Sequence, residues 1–264
     1  RGKEGTFFCG SRYWGKGMIR IYRADTALLP DEEAVLRNMV FLDEERKRKV
    51  WQCKNLEDKK RSLLAGYLIR EGAKEWRTKE GGLQGDAKPL FLSYAYSEYG
   101  KPYLRGEKNL YFNISHSKNY VVCAFSDREV GIDIQVHKKG KGDIAQRFFS
   151  MEDRALMEKL AGEERSSEEI FFSMWTVKEA YMKLTGEGMR QGLDSTVIEM
   201  EDDAGTTPER DADGIWKQGR IKKKAGKGAA YFKIYEERDK ISKYSMAVCS
   251  YDRDDDIQRE EVRI

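Results

Sequence analysis

Two acidic side chains stand in contexts suited to metal-assisted phosphoryl chemistry. In Gly131-Ile132-Asp133-Ile134-Gln135 the alternation predicts a strand whose Ile132 and Ile134 enter a core, while Asp133 and Gln135 project together from the other face. The second carboxylate is Glu179, four residues before Lys183 in Phe171-Phe172-Ser173-Met174-Trp175-Thr176-Val177-Lys178-Glu179-Ala180-Tyr181-Met182-Lys183. The apolar spacing there predicts a helix with Phe171, Trp175 and Met182 near one face and Phe172 on its flank. Mg²⁺ takes a few carboxylate oxygens and fills its shell with waters and substrate phosphates, so Asp133 and Glu179 suit such an ion, and Lys183 suits a phosphate. Each feature alone has a plainer account. Asp133 and Gln135 are also what a solvated strand face looks like, and Glu179 with Lys183 also reads as a surface pair worth about 0.2–0.5 kcal/mol.

Phe112-Asn113-Ile114-Ser115-His116-Ser117 reads either as a polar turn at a strand end or as a site offering hydroxyl, imidazole and backbone N–H donors to phosphate oxygens. Ser115 and His116 are adjacent and diverge in extended backbone, which argues against a hydrolase-type Ser–His dyad. Basic residues crowd the first half, at Arg46 to Lys49, at Lys59 to Arg61 beside Ser62, and at Lys101. Most belong to solvated helix faces, yet Arg46 and Lys49 share a face, and several cations converging on one mouth suit a ligand with multiple phosphates. Nucleic acid is a poorer candidate: 49 Lys+Arg against 46 Asp+Glu leaves a formal charge of only +3, with acids interleaved throughout. His116 and His137 are the only two histidines, which excludes mechanisms needing several imidazoles. Cys9, Cys53, Cys123 and Cys249 are scattered without zinc-ligand spacing and suit a reducing cytoplasm.

The elements that must position these residues follow from periodicity. The 264 residues allow one large domain or two small ones, and 39% hydrophobic content supplies a core. Met18 to Ala24 alternates as a strand, and Pro30-Asp31-Glu32-Glu33 opens a helical region running to about Trp76. Glycines at 81, 82 and 85 end that region, and Tyr99-Gly100-Lys101-Pro102 is a turn signal. Leu110 to Ile114, Tyr120 to Phe125 and Val130 to Val136 read as strands, with Ser126 to Glu129 joining the last two as a hairpin. Helices follow at about Asp143 to Leu160 and Glu168 to Leu184, the latter ending at Gly186. Strands return at Thr196 to Met200, Ala230 to Tyr235 and Tyr244 to Tyr251, with Glu201 to Gly228 expected as a mobile surface excursion. This order argues for an α+β fold of two similar halves, 1–127 and 128–264. No apolar run approaches the roughly 18 residues of a membrane span, so a soluble protein is expected. No secretory apolar region follows Arg1, and the start reads as truncated or processed.

Tyr99-Gly100-Lys101-Pro102, Phe112 to Ser117, Gly131 to Ile134, Arg147-Phe148-Phe149-Ser150 and Trp175 to Lys183, taken in order, resemble the surfactin-synthetase-type 4′-phosphopantetheinyl transferases. The likeness runs from about Ile19 to Val248. It implies two α+β halves related by a pseudo-two-fold axis, with coenzyme A in the cleft between them. It further implies transfer of the phosphopantetheine arm to a serine of an acyl, peptidyl or aryl carrier protein, with release of adenosine 3′,5′-bisphosphate. By the same resemblance Asp133 and Glu179 are Mg²⁺ ligands, Mn²⁺ being the alternative ion, and Lys183 binds the pyrophosphate. Ser115 and His116 hold the coenzyme A phosphates, and Arg46, Lys49, Arg61, Ser62 and Lys101 surround the nucleotide.

Two positions depart from the family pattern. Gln135 stands where a glutamate often also binds the metal, which removes one negative charge while leaving an amide oxygen able to ligate. Asp153 aligns with a glutamate of many members, with Glu152 beside it, and the sequence leaves the role of either open. The base that deprotonates the acceptor serine is read as Glu179, directly or through a metal-bound water. The reading is a Mg²⁺-dependent transferase, monomeric because one chain completes its own cleft, and meeting its carrier through that partner's acidic helix. Its rivals are a non-catalytic coenzyme A or nucleotide-binding module, suggested by Gln135, and a metal-dependent phosphodiesterase.

Overall fold

Alternating burial along the strands sorts the core into layers in the computed structural model, which describes residues 17–79, 92–140, 147–162, 165–188, 192–201, 215–225, 228–253 and 255–262. The first sheet has the order β11-β1-β5-β4, from β1 (Met18–Asp25), β4 (Tyr111–Ser117), β5 (Tyr120–Ser126) and β11 (Asp256–Glu261). The second has the order β6-β10-β9-β8-β7, from β6 (Val130–Val136), β7 (Thr196–Met200), β8 (Ile215–Lys223), β9 (Ala229–Arg238) and β10 (Lys243–Ser250). A small ribbon pairs β2 (Tyr94–Tyr96) with β3 (Pro102–Leu104) around the expected turn. Val121, Cys123 and Phe125 of β5 face the helices α1 (Glu32–Asn38), α2 (Glu44–Gln52) and α3 (Leu56–Lys79). The intervening Val122 and Ala124 meet Ile132, Ile134 and Val248 of the second sheet. The opposite face of that sheet, through Phe232, Ile234 and Ala247, carries α4 (Met151–Leu160) and α5 (Ser167–Thr185). Helix, sheet, sheet and helix thus stack in an α+β architecture.

Local chemistry fixes the helix ends. Asp31, Asp43 and Ser150 each accept a hydrogen bond from the first turn they cap, and Ser166 with Glu169 forms a capping box on α5. Each such cap stabilises its helix by about 1 kcal/mol. Gly186 ends α5 at φ 72°, the left-handed position expected of a C-terminal glycine. Among the described residues no helix is long and apolar enough to cross a membrane.

Three expectations need correction. Residues 126–129 do not close a hairpin: β5 pairs with β1 and β4, while β6 pairs with β10, so this short link steps from one sheet to the other. Both strands are buried on both faces, so apolar content could not reveal their partners. The supposed surface excursion contains β8, a strand hydrogen-bonded on both sides within the second sheet; residues 202–214 and 226–227 of that stretch lie outside the described residues. The last strand, β11, pairs in parallel with β1, so residues 256–261 of the expected second half belong to the first sheet. The glycines at 81, 82 and 85 and the start of the expected helix at 143–146 also lie outside the described residues.

Candidate active site

Gly131 explains how α5 reaches β6. A Cβ there would stand 2.0 Å from the carbonyl oxygen of Ala180 and 2.6 Å from the amide nitrogen of Leu184, so only glycine admits the helix this closely. That approach lays Glu179 and Lys183 beside Asp133, which shares its face of β6 with Gln135 as the alternation predicts. Asp133 is only 2% exposed, a depth that sets it apart from a solvated strand face. Its Oδ1 accepts from Lys183 Nζ at 2.6 Å and from Ser115 Oγ at 2.6 Å, and its Oδ2 accepts from Gln135 Nε2 at 3.2 Å.

These residues line a groove of about 620 Å³, to which β4 contributes Ser115 and His116. Phe171, Phe172 and Trp175 of α5, together with Val136 and the exposed Lys138, complete its lining. Phe171, expected on the apolar face of the helix, and Phe172, expected on its flank, both lie in the apolar cluster and also line the groove. Burial pushes the Glu179 carboxyl above its ordinary value, the negative charge of Asp133 adds to the rise, and Lys183 opposes it. Burial pushes the His116 imidazole down, and the positive charges of Arg61 and Lys183 push it further, against the pull of Asp58 and Asp133. The groove thus sets a carboxyl raised by burial and by the charge of Asp133 beside the Lys183 ammonium and an imidazole lowered by burial and by neighbouring cations.

The remaining basic candidates are placed differently. Arg61 sends its charge to His116 while its guanidinium donates to Lys118 O at 2.9 Å and pairs with Asp58 at 2.5 Å. Arg61, Arg46, Lys49, Ser62 and Lys101 are not among the residues lining the groove. The Arg46 guanidinium donates to the carbonyl oxygen of Ser62 at 2.8 Å and staples α2 to α3. Lys49 lies against Tyr96 and, at 3.7 Å, Glu45. Lys101 pairs with Glu129 and donates to Leu184 O at 3.0 Å, so it caps the C-terminal end of α5.

The role left open for Asp153 is visible here. Its carboxylate accepts from Lys178 Nζ at 2.7 Å, Ser150 Oγ at 2.9 Å and Ile198 N at 3.0 Å, all away from the groove. Glu152 instead pairs at the surface with Lys224 at 3.0 Å, and its carboxyl is held down at about 2 by its own backbone N–H and by that lysine. Sequence reasoning missed Lys138, which no motif marks. It also missed a row of bonds from β4 to β6, although Asn113, Ser115 and Ser117 repeat at the two-residue period of a strand.

Residues 129–249 match the family model of the 4′-phosphopantetheinyl transferase superfamily. A 4′-phosphopantetheinyl transferase of Bacillus subtilis is 34% identical over 167 residues, covering 63% of this chain and 70% of the relative. The 4′-phosphopantetheinyl transferase Sfp of Bacillus subtilis strain 168 is 29% identical over 215 residues, covering 81% of this chain and 84% of that protein. HetI of Nostoc sp., also a 4′-phosphopantetheinyl transferase, is 32% identical over 169 residues, 62% of each chain.

Proposed function

This chain belongs to the 4′-phosphopantetheinyl transferase superfamily and is an enzyme of that kind, and from that premise we propose a Mg²⁺-dependent transfer of the phosphopantetheine arm of coenzyme A to a carrier-protein serine. The observation that carries this reading is the groove in which Asp133, Glu179, Lys183 and His116 meet. Coenzyme A bears a diphosphate and a separate 3′-phosphate and therefore needs two cationic stations. Lys183 suits the first, and His116 with the charge of Arg61 suits the second. The cleft would lie between two halves related by a pseudo-two-fold axis, completed within a monomer.

The donor set fits a magnesium ion. Asp133, Glu179 and the amide oxygen of Gln135 would hold it, and a divalent charge would offset the burial and the neighbouring Asp133 charge that together disfavour an ionised Glu179. When bound, the ion neutralises phosphoryl oxygens and orients them for in-line displacement. Lys183 stabilises the charge on the diphosphate, and the ionised Glu179 carboxylate, whose hold on a proton is strengthened by burial and by Asp133, takes the proton of the acceptor serine, directly or through a water. The serine oxygen bonds to the β-phosphorus as the bond to the bridging oxygen breaks, and adenosine 3′,5′-bisphosphate leaves from the His116 station. Phe171, Phe172 and Trp175 offer an apolar wall to the transferred arm, and Lys138 offers a cation to the carrier's acidic helix.

Intact mass of an apo-carrier incubated with coenzyme A and Mg²⁺ tests the reading. The wild-type protein is expected to add the mass of the arm, and Asp133→Ala and Glu179→Ala are expected to abolish that gain while circular dichroism stays native. Full transfer by either variant refutes the metal assignment. Coenzyme A binding without any mass gain favours the binding module instead, and nucleotide release without an acceptor favours the phosphodiesterase.

A further inference from the structure

The edges of the two sheets meet without a backbone ladder. β4 closes the first sheet and β6 the second, and alternate side chains of β4 accept the backbone N–H groups that β6 turns toward it. Asn113 Oδ1 accepts from Ile132 N at 3.1 Å, Ser115 Oγ from Ile134 N at 3.4 Å and Ser117 Oγ from Val136 N at 2.9 Å. The spacing of two on both strands keeps these rungs in register and satisfies donors that would otherwise be buried without partners.

The middle rung does more. Ser115 is 6% exposed, and its hydroxyl donates to Asp133 Oδ1 at 2.6 Å while accepting from Ile134 N. A hydroxyl has one proton, so a serine that gives it to Asp133 cannot give it to a phosphate at the same time. We propose that Ser115 is a positioning residue for Asp133, the group by which the first sheet aims a metal-binding carboxylate carried by the second. This rests on the reading of Asp133 as a ligand of a divalent ion, and it replaces the expectation that the Ser115 side chain holds a coenzyme A phosphate. Lys183 also donates to Oδ1, but that ammonium is 29% exposed on the groove and must turn toward a diphosphate to bind it. Ser115, with Gln135 on Oδ2, then keeps the carboxylate in place. Partners of this kind behind a metal ligand typically change metal affinity by about 10–100-fold when removed.

Ser117 supplies the control, because Ser117→Ala removes a rung of the same kind without touching the carboxylate. Calorimetry would measure Mn²⁺ affinity with and without coenzyme A, and coenzyme A affinity in EDTA, on the full chain. Ser115→Ala is expected to weaken Mn²⁺ binding by about tenfold or more and to leave metal-free coenzyme A binding within about twofold. Ser117→Ala is expected to match the wild type in both, with a thermal destabilisation similar to that of Ser115→Ala. Ser115→Cys keeps the shape and weakens the donor, and it reads the same quantity if alanine damages folding. Unchanged Mn²⁺ affinity in the Ser115 variants overturns the inference, as does a loss confined to metal-free coenzyme A binding. Failure of the wild-type protein to take Mn²⁺ under either condition overturns the metal reading itself, and the positioning role falls with it.

Discussion

Helix α5 carries two lysine–aspartate pairs of nearly equal length, Lys178 with Asp153 at 2.7 Å and Lys183 with Asp133 at 2.6 Å. Both side chains of the first pair are fully buried. Lys178 also donates to Leu193 O, Thr196 O and Thr196 Oγ1, while Asp153 gathers Ser150 and Ile198, so both charges have their hydrogen bonds inside the protein. In the second pair the lysine is 29% exposed on the groove, and Glu179 adds a further negative charge that the surroundings hold unwillingly. The same two residue types make a closed brace in one place and an adjustable charge in the other. What separates them is access to water and the company of an incompletely balanced carboxylate.

Breaking the closed pair should produce the largest stability effect. Lys178→Met leaves Asp153 charged and enclosed, so urea unfolding should show a loss of about 3–5 kcal/mol. Adding Asp153→Leu should recover much of it, and a small loss from the single variant would contradict the comparison. Lys183→Met should cost less, about 1–2 kcal/mol, because the lysine it removes is itself 29% exposed and Asp133 keeps its bonds from Ser115 and Gln135, yet it should weaken coenzyme A binding about tenfold or more by calorimetry. Equal destabilisation by the two methionine variants would erase the distinction.

Glu179→Gln should go the other way, with transfer lost and the protein more stable by about 1 kcal/mol at neutral pH. Its sign follows from linkage. The folded protein holds the Glu179 proton more tightly than the unfolded chain, so wild-type stability falls as pH rises from below the ordinary 4.5 through the raised value. Melting curves of variant and wild type should therefore converge in acid and separate above that window. The smallest effect concerns His116. Its folded pKa lies below the ordinary 6.5, so stability falls as pH drops from 6.5 through the depressed value, and coenzyme A should move the imidazole resonances toward a higher pKa. A titration unmoved by coenzyme A would remove His116 from the phosphate station.

The sequence made the chemistry legible where spacing and face coincide. The alternation around Asp133 and the four-residue step from Glu179 to Lys183 each predict a side, and the groove brings those sides together. It could not show that Gly131 is the contact admitting α5, since the same residue serves turns and bulges equally well. Nor did it distinguish cations committed to the scaffold from those facing the groove: Arg46 and Lys101 end on carbonyl oxygens of Ser62 and Leu184, acceptors that composition does not reveal. Lys178 and Lys183 differ in burial and in the charges around them, and the enclosure of Lys178 is decided by the approach of residues 193–195 and of β7, which no pattern within the helix reveals. Pairings between distant segments, such as β1 with β11, were hidden for the same reason.

The seam between β1 and β11 also has a bearing on biosynthesis. β1 leaves the ribosome more than 200 residues before residues 256–261, which supply the neighbour on one of its flanks, so the first sheet stays incomplete until those residues follow. In that interval the flank of β1 presents unclaimed amide and carbonyl groups to whatever is nearby, and nascent chains crowded on one message are the nearest company. Yield in a translating cell should then depend on how quickly the final strand arrives, independently of anything that happens in the groove.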